Sequence, residues 1–175
     1  MKKALLRCGF LFAVFLSVFL FFTKTLSGQE FSYNIQQKLV NEYYTEQEVD
    51  CITEAVYFEA RGESVRGHKA VIEIILNRVD NQLDYPNKVC DVIYQKNQFS
   101  YRLYDLKVNN KQLYNDIKEE VKTHLFYVKI LNLEQVRVIK KCSDHYDGKH
   151  SKAHWIKNMK EPQPIGNHIF YCRNN

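Results

Sequence analysis

Proline and glycine are scarce in this sequence of 175 residues, which contains 3 Pro and 6 Gly. That scarcity excludes a fibrous or low-complexity chain, in which these residues are abundant. The length excludes a multidomain enzyme and a barrel enzyme of about 250 residues. The chain instead has 12 Tyr, 11 Phe and many aliphatic residues, so it can fill one hydrophobic core and is not globally disordered.

Net charge is also small once the N-terminus is set aside. The chain has 25 Lys and Arg against 20 Asp and Glu, a formal charge of +5. Four of those bases lie within residues 1–28, which contain no acid, so the remainder has 21 bases against 20 acids. A nearly neutral chain is not expected to bind nucleic acid. Its lysines gather towards the C-terminal third, and such a basic face also suits anionic cell wall polymers and membranes.

The N-terminus carries the long apolar run of the sequence. Residues 8–23 are uncharged and follow Lys2, Lys3 and Arg7, a pattern that predicts a signal peptide or signal anchor over residues 1–28. The run is just short of the roughly 17–25 residues of a spanning helix. Because the small-residue cleavage pattern is weak, we favour a retained anchor with Lys2 and Lys3 in the cytoplasm. The rest is then exported and faces the periplasm or cell wall, or is secreted if the leader is cleaved.

Closely spaced cysteine pairs of the C-x-x-C kind are absent, which argues against a cysteine zinc site. Outside the cytoplasm cysteines tend to form disulfides. Cys51, Cys90, Cys142 and Cys172 form an even set, for which three pairings are possible. We favour Cys51–Cys90 and Cys142–Cys172, because each pair brackets one segment of the domain. The alternative is four buried free thiols in a reducing compartment.

The pattern of the remaining chain predicts a linker over residues 29–44 and one domain over residues 45–175. A capping box at Thr45 and Glu48 begins a helix. Residues 64–79 predict a central buried helix, and residues 110–131 an amphipathic one. Residues 136–139 and 168–172 predict strands. The expected fold class is therefore α+β, mainly helical, with a small β element near the C-terminus.

The segment 54–63, EAVYFEARGE, carries the chemistry. Glu54 and Glu59 are about 140° apart around a helix and do not share a face. The apolar neighbours of Glu59 favour its protonated form, as a general acid requires. Arg61 is expected to pair with Glu54 or Glu63, which leaves Glu59 unpaired. Taken alone, this spacing favours the ordinary interpretation, a solvated helix end with a glycine cap.

A resemblance to a known family instead favours a catalytic interpretation of this segment. Residues 51–71 resemble the signature of the SleB/CwlJ-type cell wall hydrolases, and the matching blocks continue in the same order to the C-terminus. Together they cover roughly residues 48–172. The blocks are ILNRV at 75–79, YPN at 85–87, VIYQ at 92–95, QFS at 98–100, His145-Tyr146, Trp155 and IGNHIFY at 165–171.

The resemblance implies a lysozyme-like helical fold that cleaves peptidoglycan glycan strands, as a lytic transglycosylase or muramidase. It implies Glu59 as the acid/base, with Glu54, Arg61 and Glu63 supporting it. No cofactor or metal is expected, and the chain is expected to be a monomer. One carboxyl group suffices for a transglycosylase, because it can protonate the glycosidic oxygen and then take the proton of the muramic 6-hydroxyl. Two-carboxylate hydrolysis needs a second acid.

Residues expected to line the glycan groove come from four places in the sequence. Gln98 and Ser100 offer hydrogen bonds to sugar hydroxyl or acetamido groups. Tyr146 and Trp155 offer ring faces for stacking, as do Phe99 and Tyr101, and core packing is the alternative for each of these aromatics. His168 is either a substrate contact or a structural donor. Asp147 stands where the family usually has a second His, which leaves the contacts at this end open.

Two other functions remain open at this point. His145, His150 and His154 could ligate zinc in a metal hydrolase if their segment were helical. The polar residues around Gly148 instead indicate a loop. A non-catalytic glycan-binding module that kept the fold is the second alternative, and the presence of Glu59 argues against it.

Overall fold

The computed structural model describes residues 28–174. The predicted signal segment, apart from its last residue, lies outside the described residues. The chain divides into two compact units, Met1–Leu39 and Val40–Asn175. Every site discussed below belongs to the second unit. Among the residues that the structure describes, no helix has the length and apolar character needed to cross a lipid bilayer.

Residues 28–43 form a first helix, α1, where the sequence predicted a linker. No Pro or Gly interrupts residues 29–44, so nothing in the chain breaks a helix there. Val40 is fully buried and Tyr44 packs against the core of the second unit. The polar residues of this stretch therefore lie on the exposed part of a helix.

Two helices position the chemistry of the second unit. Helix α2 spans Glu46–Ala60 and begins with the predicted capping box, in which the Thr45 and Glu48 side chains each accept a hydrogen bond from the other's backbone N–H. Helix α3 spans Val65–Asp80, close to the predicted 64–79, and every residue from Ala70 to Arg78 is buried. It is the central helix that its apolar sequence predicted.

Two further helices complete the helical layer. Helix α4 spans Val89–Tyr94 and helix α5 spans Lys111–Leu125, followed by one wider π turn at Phe126–Ile130. Helix α5 therefore ends earlier than the predicted 131. It packs against α2 and α3, and α4 also packs against both of these helices. Short 3₁₀ turns occur at Ser100–Leu103, Glu134–Val136 and His154–Asn158.

A three-stranded antiparallel sheet follows the helices. Its strands are β1 (Ser143–Gly148), β2 (Met159–Ile165) and β3 (His168–Arg173), in the order β1-β3-β2. Strands β2 and β3 form a hairpin whose turn contains Gly166 at φ +58°, the left-handed region that favours glycine. The predicted class, mainly helical α+β with a small C-terminal sheet, is confirmed. The loop predicted around Gly148 begins only after that residue, at 149–153, because residues 143–148 form strand β1.

Residues 136–139, predicted as a strand, instead attach to α3 through the buried side chain of Glu73. Its carboxylate accepts hydrogen bonds from the backbone N–H groups of Val138 and Ile139, at 2.9 Å each for the shorter contacts, and from Nε2 of His124 at 2.8 Å. Backbone donors satisfied by a side chain are not available to a neighbouring strand. One turn further along α3, Asn77 donates to the carbonyls of Lys140 and Ser143, so two polar residues of α3 hold the segment that leads into β1.

Both predicted disulfides are confirmed. Cys51–Cys90 joins α2 to α4 with a Cα–Cα distance of 5.6 Å. Cys142–Cys172 joins the residue before β1 to β3 at 5.0 Å. Each closes a loop of 30 to 39 residues, for which about 2–4 kcal/mol of stabilisation is typical. One disulfide therefore reinforces the helical layer and the other reinforces the sheet.

Candidate active site

A cleft of about 600 Å³ opens where the C-terminal end of α2 meets the sheet. Its walls come from α2, α3, the loop before the 3₁₀ turn at Ser100, strand β1, the turn at His154 and the start of β3. Of the seven residues expected to line the glycan groove, all but Phe99 and Tyr101 line this cleft together with Glu59. The lining residues are Glu59, Arg78, Asn97, Gln98, Ser100, His145, Tyr146, Asp147, Gly148, His154, Trp155 and His168.

Glu59 lies at the last turn of α2 and presents its carboxyl group to the cleft. Its Oε2 accepts a hydrogen bond of 3.0 Å from the Tyr146 hydroxyl. Its Oε1 is buried and has no hydrogen-bond partner among the described residues. A buried polar atom without a partner is costly in a structural role, and such atoms concentrate where chemistry is done. Glu59 therefore has one oxygen that is hydrogen-bonded to Tyr146 and one that accepts no hydrogen bond from the described residues.

Tyr146 orients Glu59 from the sheet side. Its ring stacks on Phe170 with 5.5 Å between centroids, which fixes the direction of the hydroxyl. Burial, with the charge of Glu59, raises the pKa of the Tyr146 hydroxyl well above its usual range, and the positive charge of Arg78 only partly opposes this. The hydroxyl therefore stays protonated and donates to Glu59. Its contact with Glu59 indicates that Tyr146 holds the acid, a role different from the predicted sugar stacking.

Arg78 is a site residue that the sequence analysis quoted only as part of a motif. It is 3% exposed, and its guanidinium lies over the rings of Tyr85 and Phe99 at 5.5 and 5.4 Å. Its Nε donates to the backbone carbonyl of Asp144 at 2.9 Å, and its Nη1 has no partner among the described residues. The available signal was an arginine on the buried face of an apolar helix, where an unpaired charge is rare without a function.

Gln98 and Ser100 reach the cleft from the loop that follows α4. Asn97, just before them, has φ +64°, a conformation that asparagine tolerates better than most residues. Phe99 and Tyr101 point the other way and are 1% and 5% exposed. For these two aromatic residues core packing, the alternative to sugar stacking, is therefore correct.

Trp155 and His168 complete the opposite wall. Trp155 is half-buried, with its ring 5.6 Å from that of His145 and 5.8 Å from that of Tyr171. His168 begins β3, and its ring packs edge-on against Tyr146 at 5.5 Å. Trp155 thus keeps part of its ring open to the cleft, whereas His168 both lines the cleft and supports the tyrosine that holds Glu59.

The supporting carboxylates do not pair with Arg61, and that prediction was wrong. Arg61 is exposed and its guanidinium lies 5.3 Å from the Tyr57 ring centroid. Glu54 instead faces Arg102 at 3.7 Å. Arg61 keeps helical backbone dihedrals, and its side chain lies over the Tyr57 ring, one turn earlier on α2. Among the described residues, Glu59 forms no ion pair with a basic side chain, as expected.

Glu63 connects the turn after α2 to the hairpin of the sheet. Its carboxylate accepts hydrogen bonds from the backbone and side-chain nitrogens of Asn167, the closest at 2.8 Å. The two nearby glycines leave it room: a Cβ on Gly67 would lie 2.6 Å from the Glu63 Cβ, and one on Gly166 would lie 1.9 Å from Oε2. Glu63 thereby holds the sheet, with Tyr146 and His168, against the helix that ends in Glu59.

Asp147 is a second acid in the cleft, which the sequence did not single out as such. Its Oδ1 accepts from the backbone N–H of Gly148 and its Oδ2 from the hydroxyl of Ser151, both at 2.7 Å. Both oxygens are thus engaged in shaping the turn after β1. Of the two carboxylates that line the cleft, Glu59 is the one with an unoccupied oxygen.

The histidines considered as zinc ligands do not form a ligand set in the described part of the chain. His145 lies on a strand, and its Nδ1 is hydrogen-bonded to Asp144 at 2.8 Å. The group with ligand atoms close enough to share an ion there is Cys142, Glu161 and Cys172, whose cysteines are joined in a disulfide.

A helical layer and a small sheet that meet at a cleft lined by a glutamate agree with the lysozyme-like fold that the resemblance implied. The particular family follows from direct comparison. The family model described as Cell Wall Hydrolase matches residues 62–171, more than half of the chain. The chain therefore belongs to the cell wall hydrolase family, as the resemblance of its motifs indicated.

This chain is similar to proteins named as cell wall-lytic enzymes, both in sequence and in structure. Over 57 residues, a third of this chain, it is 39% identical to the spore cortex-lytic enzyme of Oceanobacillus iheyensis and 37% identical to that of Bacillus subtilis. The match spans only about a fifth of each of those proteins. Its fold is similar to the catalytic domain of the germination-specific lytic transglycosylase SleB from Bacillus anthracis, with a TM-score of 0.55 and 27% identity. That match covers 74% of this chain and 97% of the other.

Proposed function

We propose that this protein cleaves the glycan strands of peptidoglycan by the lytic transglycosylase route, with Glu59 as its single acid/base. The observation that carries the proposal is the free Oε1 of Glu59, buried in a cleft large enough for sugar rings. The names of the relatives point to the same substrate, because they are cortex-lytic enzymes and a lytic transglycosylase.

The chemistry follows from the two oxygens of Glu59. In the protonated form, the carboxyl group donates its proton to the glycosidic oxygen, and the bond from that oxygen to the anomeric carbon breaks. The hydrogen bond from Tyr146 then stabilises the carboxylate that remains. The muramic 6-hydroxyl attacks the anomeric carbon and gives its proton to Glu59. This restores the acid and leaves a 1,6-anhydro end.

The hydrogen bonds that both Asp147 oxygens accept favour the transglycosylase route over two-carboxylate hydrolysis. Hydrolysis with a separate base or nucleophile needs a second carboxylate with an oxygen directed at the sugar or at water. The other acid of the cleft has both oxygens engaged by Gly148 and Ser151. The muramic 6-hydroxyl is an internal nucleophile, so no second acid is needed.

The remaining residues of the cleft bind the strand. Gln98 and Ser100 supply hydrogen bonds on the helical side, and Trp155 supplies an open ring face on the sheet side. His168 supports Tyr146. We also propose that the protein is exported and held at the membrane by its N-terminal segment, with its disulfides formed outside the cytoplasm.

Mass spectrometry of fragments released from purified sacculi tests this function. The full chain is expected to release muropeptides with 1,6-anhydro-muramic ends. Reducing muramic ends would overturn the transglycosylase route but keep glycan cleavage. Intact sacculi after incubation with folded protein would overturn the proposal as a whole.

A further inference from the structure

The Asp144–His145 pair is a feature of the cleft that the proposed mechanism does not use. Nδ1 of His145 lies 2.8 Å from Oδ1 of Asp144. Asp144 is 5% exposed and is held on both sides: its backbone carbonyl accepts from Arg78 at 2.9 Å, and its carboxylate accepts from Nε of Arg173 at 2.7 Å. The acid behind the imidazole is therefore fixed in place.

A β-bulge lies at Asp144. Ser143 pairs with Cys172 and His145 pairs with Tyr171, so Asp144 is an extra residue opposite β3. A bulge of this kind bends the strand and redirects its side chains, and bulges are frequent beside active sites. After the bulge the strand is regular: His145 contacts Trp155, whereas Tyr146 stacks on Phe170. Both His145 and Tyr146 line the cleft.

The hydrogen bond to Asp144 decides which ring nitrogen faces the substrate. Burial alone would raise the pKa of Asp144, but its contacts with His145 and Arg173 outweigh burial and hold the pKa below its usual range. An ionised carboxylate only accepts hydrogen bonds, so Nδ1 of His145 donates to Asp144, and the tautomer with this proton has Nε2 as its acceptor. Among the described residues, Nδ1 makes the hydrogen bond of this ring, and Nε2 is left for the cleft.

Trp155 lies beside this acceptor. Its ring centroid is 5.6 Å from that of His145, and Tyr171 supports it from behind at 5.8 Å. An apolar ring face next to a fixed polar atom matches a sugar ring, which has an apolar C–H face and hydroxyl groups at its edge. The pair and the tryptophan thus form one compact surface on the sheet side of the cleft.

We propose that His145 is a sugar-binding residue, whose Nε2 accepts a hydrogen bond from a glycan hydroxyl while Trp155 contacts the face of the same sugar. The proposal rests on the proposed function, since it takes the glycan strand as the ligand. Asp144 and Arg173 then act as positioning residues, which fix the orientation of the imidazole through its Nδ1.

Binding to a chain that cannot cleave tests the proposal without relying on catalysis. The Kd for peptide-free glycan strands is measured by calorimetry with the full chain carrying Glu59→Gln. Adding His145→Phe keeps a ring and removes the acceptor, and is expected to raise the Kd about tenfold, the loss of one hydrogen bond. Adding His145→Gln, whose amide oxygen can take the place of Nε2, is expected to recover most of the affinity.

The control is His150→Phe, the same substitution at an exposed histidine that does not line the cleft. It is expected to leave the Kd unchanged, and the melting temperature of each variant reports on folding. Tight binding by the folded His145→Phe chain would overturn the inference alone, as would equal weakening in His145→Gln and His145→Phe. A Glu59→Gln chain that binds no glycan would overturn the proposed function and this inference together.

Discussion

Two glutamates on neighbouring helices differ in their hydrogen bonding, and the difference separates a structural role from a catalytic one. Glu73, in the middle of α3, is fully buried, and its oxygens accept from two backbone N–H groups and from His124. Glu59, at the end of α2, accepts one hydrogen bond, and its second oxygen is buried without a partner. The same residue type therefore stabilises the fold where its oxygens are satisfied, and offers chemistry where one of them is not.

The largest expected effect is on catalysis at the end of α2. Glu59→Gln removes the transferable proton and keeps the shape, so we expect release of muropeptides from sacculi to fall by about 10³-fold, within the range typical of a lost general acid. The melting temperature is expected to stay within a few degrees of the wild type, because the change removes no satisfied structural contact of Oε1. Wild-type rates from Glu59→Gln would contradict the assignment.

For Glu73, in the middle of α3, we expect a substitution to reduce stability and to leave activity nearly unchanged. Glu73→Gln turns one acceptor oxygen into a donor that faces backbone N–H groups, so it leaves buried donors unpaired. We expect a loss of about 3 kcal/mol in the free energy of unfolding, measured by urea denaturation. Activity per folded molecule is expected to stay near that of the wild type. A stable but inactive Glu73→Gln protein would contradict the division between the two glutamates.

A smaller effect is expected when the contact between the sheet and Glu59 is removed. Tyr146→Phe keeps the ring on Phe170 and deletes the hydroxyl that donates to Glu59. A hydrogen bond to a charged group contributes about 1.5–3 kcal/mol, so we expect kcat to fall by about 10- to 100-fold with KM little changed. A rise in KM at constant kcat would instead assign Tyr146 to sugar binding, as its sequence first suggested.

Local patterns in the sequence predicted much of this fold. The capping box at Thr45 and the apolar run of α3 have short-range physical causes, and both helices begin near the residues expected. The disulfide pairing followed from order along the chain. Residues 29–44 were predicted as a linker from their polar composition, and their helical conformation reflects the absence of a helix breaker there.

Features that depend on distant contacts could not be predicted in the same way. Strand β1 has the polar sequence SDHYDG and becomes a strand because β3 pairs with it, and residues 136–139 are not a strand because Glu73 takes their donors. In the site, the motif pointed to Glu59, Gln98, Ser100 and Trp155. The holding role of Tyr146, the burial of Arg78 and the engagement of both Asp147 oxygens arise only when strand and helix meet.

The most direct test of the central claim compares two leaving groups. If Glu59 supplies the proton to the glycosidic oxygen, a muramyl glycoside that releases dinitrophenolate, a leaving group that needs no proton, bypasses the acid step. We predict that Glu59→Gln slows cleavage of natural glycan strands by about 10³-fold and slows cleavage of the activated glycoside far less. Equal losses on the two substrates, in a protein with wild-type melting temperature, would contradict the account.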